Sequence, residues 1–144
     1  MAFSQYFAEK ILGWLKGGAF PTALSSVYVT LHTADPGTGG TTADVTNAVC
    51  GIHSKQVLGS SMSATGAASG GGFETTNGSV VQMAAAAVNG SPVTITHFGI
   101  WNAACASPHG TEEFVASGAL TVSVEIQLGD TVQFNTGAMS VKVI

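Results

Sequence analysis

The final third of the chain is written in steps of two. Leu120, Val122, Val124 and Ile126 fall on one side, and Thr121, Ser123, Glu125 and Gln127 on the other. That alternation predicts a strand with one face in a core and the other in water. Gly129-Asp130 then turns the chain into Val132 and Phe134, and Gly137 leads into Met139, Val141 and Val143. The same period appears where Val27, Val29 and Leu31 alternate with Tyr28, Thr30 and His32, and again over Val93–Trp101. Asn77-Gly78 predicts a two-residue hairpin between Phe73–Thr76 and residues 79–83, and Asn89-Gly90 repeats the signal. Seven or so short strands at close intervals imply a mainly β fold. The expectation is a compact antiparallel β-sandwich with one N-terminal amphipathic α-helix. No repeat of solenoid length and no linker divides the chain, so residues 1–144 form one domain.

The helix is read over about residues 4–16. Ser4 is the candidate N-cap, and Phe3, Phe7 and Ile11 recur every four residues, with Tyr6, Trp14 and Leu15 widening the stripe. Lys16 suits the negative end of the helix dipole, and Gly17-Gly18 followed by Pro21 stops the helix. So much aromatic surface must dock on something, either the protein's own sheet or a neighbouring subunit. Phe3, Tyr6, Phe7, Ile11 and Trp14 are therefore candidate interface residues. The stretch 60–72 is almost entirely Gly, Ala, Ser and Thr and reads as a flexible loop or arm. Ser60, Thr65, Gly70 and Phe73 join the candidate contacts.

Charge is scarce: eight acids and four lysines in 144 residues, with no arginine. A free-standing domain ordinarily has about a quarter of its residues charged. A surface so poor in ions loses little on being covered by protein, which points to life within an assembly. Lys10, Lys16, Lys55 and Lys142 are too scattered to neutralise phosphates, so no nucleic acid partner is expected. The N-terminal apolar stretch is broken by Glu9, Lys10 and Lys16 and fits neither a secretion signal nor a membrane span. A soluble protein made in a bacterial cytoplasm, with no membrane partner, is expected.

Motifs for chemistry are missing. Cys50 and Cys105 lack metal or redox spacing and read as reduced, buried thiols. His32, His53, His97 and His109 form no zinc-type pair, though His97, Cys105 and His109 could converge in space. Cys50 near His53 lacks a visible third orienting group, and no G-x-S-x-G elbow occurs. Glu112 and Glu113 are adjacent on an extended stretch and so point apart, a solvated patch rather than an acid/base pair. The glycine runs Gly39-Gly40 and Gly70-Gly71-Gly72 lack the lysine and helix of a phosphate loop. No enzyme, cofactor or metal is expected.

Several segments carry a resemblance. The opening helix ending in Gly17-Gly18 precedes Val27-Tyr28-Val29-Thr30-Leu31-His32-Thr33-Ala34-Asp35-Pro36-Gly37. Thr96-His97-Phe98-Gly99-Ile100-Trp101-Asn102, Gly118-Ala119-Leu120-Thr121 and Gly129-Asp130-Thr131-Val132-Gln133-Phe134 follow in order. This pattern resembles a family of small tailed-bacteriophage virion proteins, often named phage tail fibre proteins and similar also to capsid cement proteins. Family members carry a Gly-Gly-Gly-Tyr-Ala-Arg stretch where this chain reads Val49-Cys50-Gly51-Ile52-His53-Ser54-Lys55-Gln56-Val57. The resemblance implies a non-enzymatic structural protein on the exterior of the phage particle. The leading reading is a decoration (cement) subunit that binds the phage major capsid protein from outside and stabilises its lattice, as a homo-oligomer and specifically a trimer. The alternative is a tail fibre or tail-tip component, partnered by tail proteins, that recognises a host surface.

Overall fold

The computed structural model of the chain describes residues 4–24, 27–45, 62–83, 85–86, 92–103 and 112–143. One helix, α1 (Gln5–Leu15), leads eight strands. These are β1 (Tyr28–His32), β2 (Gly66–Ala67), β3 (Phe73–Thr76), β4 (Val81–Gln82), β5 (Val93–Trp101), β6 (Phe114–Ile126), β7 (Gln133–Phe134) and β8 (Ser140–Val143). They pair antiparallel in three sheets, β1-β5-β6, β2-β3-β8 and β4-β7. The fold is mainly β with one N-terminal helix, as the period-two pattern predicts.

Both ends of α1 follow from local chemistry. The Ser4 hydroxyl accepts from the Phe7 N–H at 3.1 Å, satisfying one of the donors a helix start leaves over. At the other end Gly17, with φ +90°, takes the left-handed turn that a Cβ would strain. Its N–H then reaches the Trp14 carbonyl at 2.9 Å and the Gly18 N–H reaches Gly13 at 3.0 Å, the paired bonds of a Schellman cap.

The core lies between the β1-β5-β6 sheet and the β4-β7 pair. Val29 and Leu31 from β1, Ile95, Phe98 and Ile100 from β5, and Ile126 from β6 supply one wall. Val81, Met83, Val132, Phe134 and Met139 supply the other. The β1 strand departs from the half-wet strand its alternation predicts, because Thr30 and His32 on its second face are buried too. Trp101 and Phe114 share that second face, their rings 5.1 Å apart. Gly99 is required beneath them: a Cβ there would stand 2.6 Å from Thr30 Oγ1 and 2.9 Å from His32 Nε2. Gly40 passes against the Phe114 ring with no room for a side chain, which brings the 33–42 connection down as the cover.

Two sequence expectations are corrected. Asn77-Gly78 makes no hairpin, since β3 pairs with β8 while β4 pairs with β7. A type I′ turn needs positive φ at both central residues, and neither Asn77 nor Gly78 has it. Asn77 is instead fully buried and bonded across to Asn135 and Met139. The second correction concerns the alternation in β6, of which only Ile126 is buried, with Leu120 half-buried and Val122 73% exposed. Ile95 pairs with Val124 but His97 with Ala119, so residues 120–123 arch out opposite Thr96 alone. A bulge this wide takes Val122 off the core face, while Leu120 at its foot still packs against the core. Asn89-Gly90 lies outside the described residues.

Candidate assembly surfaces

The helix docks by its start and one flank. The Ser4 N–H reaches the Val115 carbonyl at 3.4 Å and the Gln5 N–H reaches Thr38 at 3.3 Å, tying α1 to β6 and to the 33–42 connection. Tyr6, Phe7 and Ile11 are half-buried, so these three expected contacts are partly spent on the protein's own sheet. No residue of α1 is fully buried. Trp14 remains 50% exposed and meets Phe20 edge to face at 5.4 Å. Leu12, Leu15, Phe20 and Leu24 are exposed beside it. An apolar hollow of about 190 Å³ opens between α1 and residues 20–24, lined by Tyr6, Phe7, Phe20, Pro21, Leu24 and Val115. A shallower groove of about 510 Å³ follows the β6 bulge, with Leu120, Val122, Val124 and Phe134 along it.

The polar features are structural in geometry. His32 Nδ1 stands 3.0 Å from the Thr42 carbonyl, which only accepts, so Nδ1 carries a proton. In the neutral ring Nε2 then accepts from the Thr30 hydroxyl at 2.7 Å, and that oxygen accepts from Trp101 Nε1 at 2.9 Å. The chain of bonds pins β1 to β5 and to the covering connection, with no opening to a substrate beside the fully buried imidazole. Glu9, Glu112 and Glu113 border a cleft of about 440 Å³ between α1, residues 38–41 and the start of β6. Among the described residues no group of three or more His, Cys, Asp or Glu could hold a metal ion. His97 is half-buried, its Nδ1 2.8 Å from Thr96 Oγ1. Cys50, His53, Cys105 and His109 lie outside the described residues, as do Phe3 and Ser60. Among the described residues no helix is long and apolar enough to cross a membrane.

A scan against family models matches residues 2–142 to the family described as podophage GP4 fiber I protein gp80. The chain belongs to this fibre protein family. It is accordingly a phage structural protein and a component of the virion. No curated protein matches the chain at a significant level.

The remaining candidates of this fibre protein sit at the far end of the β2-β3-β8 sheet. Thr65 is exposed just before β2, Gly70 is exposed in the turn that follows, and Phe73, at the start of β3, is 67% exposed. Within the run read as a loop, Gly66 and Ala67 pair with Glu74 and Phe73, and Gly70, Gly71 and Gly72 all take positive φ to close the turn. Lys142 Nζ donates to the Ser69 carbonyl and holds that turn against β8. Phe73 pairs with Val143, itself exposed, so the sheet ends in a small apolar patch. Sequence reasoning missed Leu12, Phe20 and Leu24, and placed Leu15 in the helix stripe without naming it as a contact. The available signal was a helix apolar over more than one stripe, with two more large apolar residues straddling Pro21 beyond its end.

Proposed function

We propose that this chain is a non-catalytic building subunit of a phage fibre, carried on the exterior of the particle and held there by protein contacts. The observation that carries this reading is the family match over residues 2–142. The charge-poor composition and the apolar surface left open by α1 and by the β6 bulge support it, because both favour burial against other protein. The family match favours the fibre over capsid decoration, the leading reading of the sequence. Tail proteins are then the neighbours, and host contact belongs to the fibre as a whole.

Counting copies per particle tests the choice. Quantitative gels of purified virions, with antibody labelling by electron microscopy, are expected to give a small number of copies placed at the tail. Hundreds of copies spread over the head would overturn the fibre reading in favour of decoration.

A further inference from the structure

The strand β8 lies beside β6 without pairing to it. A polar cavity of about 370 Å³ opens between them, bordered also by His97 of β5 and by Asp35 of the 33–42 connection. That volume falls at the small end of ligand pockets, about 300–1,000 Å³. Ser117 lies in its wall with 7% of its surface exposed, yet its hydroxyl makes no hydrogen bond among the described residues. A buried hydroxyl without a partner is costly, so one facing a cavity points to something that completes it. Gly99 pairs with Ser117 and His97 with Ala119, so Ser117 and His97 share a face as diagonal neighbours, with α-carbons about 7–8 Å apart. One bound group can touch both. We propose that this cavity binds a sugar acid, a single pyranose ring bearing a carboxylate. The carboxylate is placed on Lys142 and Ser117, and the ring hydroxyls on Asp35 and His97.

The groups left open around the cavity select this class. Lys142 donates to the Ser69 carbonyl and keeps two of its three protons. Asp35 Oδ1 accepts from the Gly37 N–H at 2.9 Å, which leaves Oδ2 as an acceptor for hydroxyls. His97 Nδ1 stands 2.8 Å from Thr96 Oγ1, which leaves Nε2 over. Gly118, where a Cβ would stand 2.7 Å from the Phe98 ring, keeps that part of the wall bare backbone. A small inorganic anion would answer Lys142 but leave most of the volume unfilled and offer no hydroxyl to Asp35. A neutral sugar would answer Asp35 and Ser117 but give the ammonium no opposite charge. An apolar ligand would strand all of these groups. A hydroxylated carboxylate supplies both kinds of partner. No Phe, Tyr or Trp borders the cavity among the described residues, so hydrogen bonds hold the ring without stacking. Weak affinity, a dissociation constant of about 1 mM, is therefore expected. Such binding goes beyond the fibre reading and does not rest on it.

NMR titration of the full chain with D-glucuronate at neutral pH, to about 50 mM, is expected to shift the amides of Asp35, His97, Ser117, Gly118 and Lys142. D-glucose, the same ring without the charge, and acetate, the charge without the ring, are expected to bind at least about tenfold more weakly. Lys142→Gln keeps a donor for the Ser69 carbonyl but loses the charge, and is expected to weaken glucuronate at least about tenfold while leaving glucose unchanged. Ser117→Ala removes a hydroxyl without a partner in the protein. It is expected to keep the wild-type thermal midpoint while weakening glucuronate about three- to tenfold. Thermal melts check that both variants fold. A glucuronate trisaccharide separates the two sources of this chemistry, since a site for the free acid excludes it and a site for a polymer unit binds it at least as well. The absence of any shift with glucuronate would overturn the proposal, as would binding indifferent to both substitutions. Acetate shifting the same residues as strongly would show an adventitious ion only, and glucose binding as tightly would show that the charge is not read. None of these results bears on the copy number that tests the fibre reading.

Discussion

At Asn77 a buried amide serves three neighbours at once. Its Nδ2 donates to the Ser79 carbonyl at 2.8 Å and to Asn135 at 2.9 Å, while Oδ1 accepts from the Met139 N–H at 2.8 Å. Its backbone adds two more bonds, N–H to Met139 and carbonyl from Gly137. The side chain thus fixes where the chain leaves the β2-β3-β8 sheet and enters the β4-β7 pair. Asn77→Ala removes all three side-chain bonds inside the protein and is expected to cost about 3 kcal/mol. Asn77→Asp is expected to cost at least as much, since a carboxylate would face two carbonyl oxygens without protons to offer. Urea unfolding of both variants checks this. A loss under about 1 kcal/mol for Asn77→Ala would mean that the backbone bonds alone hold the crossing. The residue was read as a turn former because Asn-Gly is the common hairpin pair. Nothing local in the sequence says that its amide will find partners about sixty positions away.

Elements whose signals are local were the legible ones. The ends of α1 are written in Ser4 and Gly17-Gly18, and the structure places Ser4 as the N-cap and Gly17 at positive φ. The strand β5 alternates over Val93–Ile95, becomes buried on both faces from Phe98 to Trp101, and runs through the middle of its sheet. In β6 the local pattern misleads, because pairing with β5 sets the face. Once residues 120–123 arch out, the period-two pattern no longer tracks the core. The prediction follows directly. Ile126→Ala is expected to cost about 3 kcal/mol, as for a fully buried isoleucine. Val122→Ala at the crest of the bulge is expected to change stability by less than about 0.5 kcal/mol. Equal losses in thermal or urea unfolding would show that the alternation does face a core. The interface candidates were legible only as a type, for a similar reason. A helix wheel shows which residues are apolar, but only the docked sheet decides that Phe7 and Ile11 turn partly inward and Leu12 and Leu15 outward.

For the molecule as a whole, the helix is an attachment to a core that closes without it. The central cluster draws on strands and their connections, and no residue of α1 belongs to it. A chain lacking residues 1–24 is therefore expected to keep one cooperative unfolding transition, with its midpoint lowered by about 3–5 °C for each kcal/mol of docking lost. Calorimetry checks this, and a truncated chain with no transition would make α1 integral to the fold. On this plan the strands supply a stable body, while the helix and the bulge carry surface for neighbours.

The arch in β6 bears on how copies can be put together. On its other side the same sheet is met by a short stretch in which the Val45 N–H reaches Leu31 at 3.0 Å and the Thr33 N–H reaches Ala43 at 3.0 Å. Neither margin offers the straight run of backbone donors and acceptors on which a stranger's strand could template itself. Open-ended strand addition to this sheet is blocked by this geometry. Copies that meet at the β1-β5-β6 sheet must therefore be joined through side-chain faces, whose shape fixes how many members they hold.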